Sequence, residues 1–109
     1  MLITFTVLSV IVNSGIYLGI TGYLSDYSRK KWDRYENFRI YMIDDLQKEH
    51  QLIGKSEEEI IELLGEPARK PDSGPPRFEY YVGDSMIDPY VYEIIFNNGI
   101  VENTMVVEH

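Results

Sequence analysis

The chain is 109 residues long, carries a net charge of −8 and contains no cysteine. That length fits one small domain, and the missing cysteine excludes a disulfide framework and acylation through a thiol. The charge is uneven: residues 26–39 hold five bases and three acids, whereas residues 40–109 hold five bases and fifteen acids. An acidic body has the wrong sign for a phosphate backbone, so nucleic acid is not an expected partner.

Residues 1–25, MLITFTVLSVIVNSGIYLGITGYLS, contain no ionisable side chain. A helix over residues 2–24 would run about 34 Å, enough for a hydrocarbon core of about 30 Å. The expectation is a single-pass transmembrane anchor over 1–25, with membrane lipid as its partner. Gly15 and Gly19 have the small-xxx-small spacing of close helix packing and are candidate helix-association residues. Two other readings compete. The central Asn13-Ser14-Gly15 would suit a buried core helix, and a cleaved leader would need a basic start and small residues of the A-x-A kind, which this segment lacks.

Arg29, Lys30, Lys31, Arg34 and Arg39 follow the span. Residues 26–35 read as a basic juxtamembrane linker attracted to anionic headgroups, with Trp32 and Tyr35 placed for the interface or for packing on the domain. By the positive-inside rule the domain is cytoplasmic, but Asp26, Asp33 and Glu36 lie among the bases and leave its side open.

Residues 36–109 form the expected domain. Phe38, Met42, Ile43 and Leu46 recur at three to four residues and predict an amphipathic helix over 36–50, with Tyr41 at its margin. In GKSEEEIIELLGEP, residues 54–67, Ser56 and Glu59 have the spacing of a capping box, and Glu57 and Glu58 favour the positive end of the helix dipole. Ile60, Ile61, Leu63 and Leu64 supply the buried stripe, and Gly65 with Pro67 stops the helix. Capping accounts for the acid cluster without a metal.

A Pro- and Gly-rich loop, 69–76, precedes a change of period to two. In RFEYYVG, Phe78, Tyr80 and Val82 alternate with Glu79 and Tyr81. In YVYEIIFNNG, Tyr92, Ile94 and Phe96 alternate with Val91, Glu93 and Ile95. Asn97-Asn98-Gly99 signals a tight hairpin into a third strand over 100–108. There Val101, Met105 and Val107 share a face with Asn103, which predicts a bulge or a half-exposed edge. The fold class is α+β: a transmembrane helix, then two helices packed on a three-stranded antiparallel meander.

The run LIGKSEEEIIELLGEP, then FEYYVG, then YEIIFNNGIVENTMVVE resembles the SmpA/OmlA, or BamE-like, family, whose small domain has the β-lactamase-inhibitor-protein-like fold. The likeness spans residues 52–108: a Gly-x-[Ser/Thr]-x-x-Glu cap, a Leu-Leu-Gly-x-Pro stop, a Tyr-rich first strand and an apolar-x-Phe-x-Asn-Gly hairpin. It implies a non-enzymatic cell-envelope protein that scaffolds or modulates other proteins outside the cytoplasm. The family's lipoproteins carry an acylated cysteine, which the apolar span replaces here.

No catalytic constellation is expected. His50 stands at a helix end and His109 at the last position, without an evident partner. Asp44 and Asp45 are adjacent on a helix and diverge by about 100°. Asp84 and Asp88 lack calcium-loop spacing, and no glycine-rich phosphate cradle is present, so neither cofactor nor small-molecule substrate is implied. The expected function is binding of an unidentified protein, with Tyr81, Tyr90, Val91 and Ile95 as candidate contact residues because Tyr offers large amphipathic area. An inhibitor or immunity-type binding protein, or an anchor acting by helix association, are the other readings.

Overall fold

A computed structural model of the protein describes residues 22–109. Residues 22–25 are helical, followed by α1 (Arg29–Arg34), a 3-10 helix (Glu36–Met42), α2 (Ile43–Glu49), α3 (Glu57–Leu64), β1 (Arg77–Asp84), β2 (Pro89–Asn97) and β3 (Ile100–Glu108). The strands form one antiparallel meander, β1-β2-β3, with the helices on one of its faces. The architecture is α+β, as the change of period from 3.6 to 2 requires. No helix among the described residues is long and apolar enough to cross a membrane. The expected anchor over 1–25, with Gly15 and Gly19, lies outside the described residues apart from its last four positions. Within those four, Leu24 packs into the domain core.

The segment expected as a linker, 26–35, is part of the domain. The Ser28 hydroxyl accepts from the Lys31 amide and caps α1, and Trp32 has no exposed surface. Its ring sits edge-on to Tyr27 and Tyr80, beneath the Arg39 guanidinium at 4.6 Å. A basic sequence with one apolar residue conceals this helix from periodicity, yet that residue is a large aromatic side chain that is fully buried. The Trp32 indole N–H finds no acceptor among the described residues, which costs about 1–3 kcal/mol against that burial.

The single helix expected over 36–50 is two segments. Met42, Ile43 and Leu46 are buried as expected, but Phe38 is 44% exposed and stacked on Tyr41. In a 3-10 helix, Phe38 lies about 120° around the axis from Met42, against about 40° in an α-helix. The winding therefore carries Phe38 off the buried stripe.

α3 forms as its sequence dictates. Ser56 Oγ accepts from the Glu59 amide at 3.2 Å, and the Ser56 amide donates to Glu59 Oε1 at 3.1 Å. Ile60 and Leu64 are buried, and Gly65 ends the helix at φ 84°. A side chain at Gly65 would meet Arg29 Nη2 at 2.8 Å. The Gly65 carbonyl accepts the Tyr80 hydroxyl at 2.7 Å, joining the helix end to β1.

Phe78, Tyr80, Val82, Tyr92, Ile94, Phe96 and Val101 make the inner face of the sheet, packed against Trp32, Met42, Leu46, Ile60 and Leu64. Asn97 pairs with Ile100 across a two-residue turn in which Asn98 and Gly99 have φ of 55° and 79°. Both residue types tolerate that region, and the turn matches the strand twist. Two bulges reset the alternation. In β1, Tyr81 pairs with Val91 and Gly83 with Tyr90, leaving Val82 extra. In β3, Phe96 pairs with Val101 and Ile95 with Asn103, leaving Glu102 extra. The second bulge turns Val101 inward while Asn103, Met105 and Val107 face outward.

Candidate functional site: the uncovered sheet face

The described helices cover one side of the sheet. The other side carries Glu79 and Tyr81 from β1, Val91, Glu93 and Ile95 from β2, and Asn103, Met105 and Val107 from β3. Tyr81, Val91, Ile95 and Val107 are half-buried, and Met105 is 37% exposed. Apolar side chains thus cross all three strands on a face that no described helix covers.

The candidate contact residues divide between the two sides. Tyr81, Val91 and Ile95 share the uncovered face. Tyr90 lies on the helix side, in a cleft with Asn37, Phe38, Ile40, Tyr41 and Gly83. The alternation of β2 itself places Tyr90 with Tyr92, so the four residues do not make one patch. Tyr81 reaches over the sheet edge, where its hydroxyl donates to Asn37 Oδ1 at 3.0 Å.

An ionic cluster lies within this face. Glu79 pairs directly with Glu93 across the strands, an arrangement that is unfavourable for two bare carboxylates. Glu79 is only 3% exposed. Arg77 Nε lies 3.4 Å from Glu79 and 3.8 Å from Glu93, Arg69 Nη1 lies 3.6 Å from Glu79, and His109 Nε2 lies 3.6 Å from Glu93. Arg77 is held in place because its Nη1 donates to the Ser73 and Pro75 carbonyls. Ligand atoms of Glu79, Glu93 and His109 come within 4.8 Å of one another. The two carboxylates are matched in charge by the two guanidinium groups of Arg69 and Arg77.

Ala68, Arg69, Glu79, Tyr81, Pro89, Val91 and His109 line a cleft of about 230 Å³ beside the cluster. Its Arg69 wall is made by a short bridge: Glu79 N–H donates to the Arg69 carbonyl at 2.9 Å, and Ala68 N–H donates to the Glu79 carbonyl at 2.8 Å. The sequence reading missed Arg69, Arg77, Glu79 and Glu93 as a group. Period-two alternation carries the signal for Glu79 and Glu93, since it puts both outward, but the cover over Glu79 comes from a loop with no strand pattern.

His50 and Asp45 serve the fold, and Asp44 is exposed. The His50 ring stands edge-on to Tyr27 at 5.4 Å, and Asp45 Oδ2 accepts from the Tyr27 amide at 2.7 Å. No family model, curated protein or solved structure matches the chain.

Proposed function

We propose that the chain is a membrane-anchored, non-enzymatic protein-binding domain of the bacterial cell envelope, BamE-like in kind. The observation that carries this reading is the half-covered sheet: Tyr81, Val91, Ile95, Met105 and Val107 form a band across three strands on the face opposite the helices. The Tyr81-Val91-Val107 row is wholly apolar, and the neutralised Glu79-Glu93 pair separates it from Ile95, a mixed surface that offers a protein partner aromatic and aliphatic contacts together with ion pairs. The uncharged run 1–25 supplies the anchor, and the family resemblance of residues 52–108 favours a domain outside the cytoplasm.

Val91→Lys combined with Ile95→Lys tests the reading. The pair should abolish co-purification of the partner from detergent-solubilised membranes while the domain still unfolds cooperatively. Unchanged co-purification by a folded double variant would refute docking through this face. Protease shaving of spheroplasts tests the location: loss of residues 40–109 with an intact cytosolic marker supports an external domain, and protection contradicts it.

A further inference from the structure

The two edges of the sheet are treated differently. Along β1, Glu79 N–H and C=O are bonded to residues 68–69, and the Tyr81 carbonyl accepts from Arg39 Nη1 at 3.1 Å. Along β3, the described residues cover the start: Gly54 N–H donates to the Val101 carbonyl at 2.9 Å, and Val101 N–H donates to the Lys55 carbonyl at 2.8 Å. From Glu102 to Glu108, no described residue bonds the outer edge of β3. Its central run, Asn103-Thr104-Met105-Val106-Val107, contains no lysine, no proline and no inward charge, the usual devices that block strand addition.

We infer that the β3 edge is a strand-addition site for an extended, basic-flanked polypeptide segment of another protein. Free N–H and C=O groups in register call for a β-strand, since no side chain can satisfy a row of them. Met105 and Val106 are 37% and 40% exposed on opposite faces of the strand, so an added strand gains apolar neighbours on both sides. Glu102 and Glu108 bracket the run, and Glu108 is steadied by the Ser85 hydroxyl at 3.1 Å. They select Lys or Arg at the two ends of the incoming segment. A second copy of this chain fits poorly: antiparallel pairing centred on Met105 sets Glu102 against Glu108 at both ends, on two acidic bodies. This site uses residues other than Val91 and Ile95, so it can fail or hold independently of docking through the uncovered face.

The test is amide hydrogen exchange on the full chain in detergent micelles with the synthetic peptide Lys-Val-Thr-Val-Thr-Val-Lys, against the same peptide with Glu at both ends. The Lys-ended peptide should slow exchange about tenfold at alternate residues within 102–108, and bind about fivefold tighter than the Glu-ended one. Glu102→Lys with Glu108→Lys should reverse that preference without altering exchange in β1 and β2. Unchanged exchange in 102–108 at saturating peptide, equal binding of the two peptides, or protection that rises with protein concentration alone would each overturn the inference, the last in favour of a second copy.

Discussion

Arg77 holds Glu79 and Glu93 together: its Nε lies 3.4 Å from the first carboxylate and 3.8 Å from the second, and the two acids sit directly opposite each other in the sheet. Removing Arg77 leaves Glu79, 3% exposed, facing another carboxylate with only the solvent-exposed Arg69 guanidinium at 3.6 Å to offset it. Arg77→Met should therefore cost about 3 kcal/mol in urea unfolding. Adding Glu79→Gln and Glu93→Gln to that variant should recover most of the loss. A silent Arg77→Met would mean the acids are compensated elsewhere.

The two glycines of the sheet should differ in their sensitivity. Gly99 has φ 79° with no heavy atom within 4 Å of an added Cβ, so Gly99→Ala carries only backbone strain, about 1 kcal/mol. At Gly83, with φ 151°, a Cβ would stand 2.9 Å from the Asn37 carbonyl oxygen. Gly83→Ala must also push the 3-10 helix away, and should lower the unfolding midpoint clearly more than Gly99→Ala.

Ser56→Ala should cost about 1 kcal/mol by removing the α3 cap. The hydrogen bond from the Ser56 amide, and then that with its side chain, holds the Glu59 carboxyl below its ordinary 4.5. A depressed carboxyl stabilises the fold above its unfolded pKa, and that contribution is lost as pH falls through the lower folded value. Wild type should therefore exceed Glu59→Gln in stability at neutral pH, and the two should converge in acid. A constant difference across that range would contradict the capping-box geometry.

Burial pushes the Tyr27 phenol up to about 12, with Arg29 lowering it and Asp33 raising it by smaller amounts, and burial also raises Tyr80 and Tyr92. A raised phenol contributes stability that is complete below the ordinary value of 10.0 and is lost as pH climbs toward about 12. Urea midpoints should stay level to about pH 9 and fall above pH 10. Tyr27→Phe loses the hydrogen bond to the Leu63 carbonyl, about 1 kcal/mol, but should show a shallower alkaline decline. Parallel declines would show that Tyr27 does not titrate late.

Much of the fold is legible because local chemistry decides it. The Ser56-Glu59 box, the Gly65 stop, the Asn98-Gly99 turn and the alternation through Tyr92-Ile94-Phe96 each specify one conformation. What escapes the sequence depends on distant partners. Trp32 reads equally as an interfacial aromatic or as packed on the domain because its neighbours are Arg, Lys and Asp, and only Tyr27, Tyr80 and Arg39, which enclose it, decide for packing. Phe38 leaves the buried stripe through a change of helical winding, and Val101 joins the inner face through the Glu102 bulge. Of the candidate site, alternation gives Tyr81, Val91 and Ile95, and it also sets Tyr90 on the opposite face. The burial of Glu79 is beyond pattern reading, since it requires residues 68–69 to return to the edge of β1.

The most direct test of docking through the uncovered face is site-specific photocrosslinking in intact cells, with the reactive group placed at Ile95 on that face and, for comparison, at Glu62 on the exposed side of α3. The account predicts a discrete crosslinked species from Ile95 and none from Glu62. Equal labelling from both positions, or none from Ile95, would contradict it.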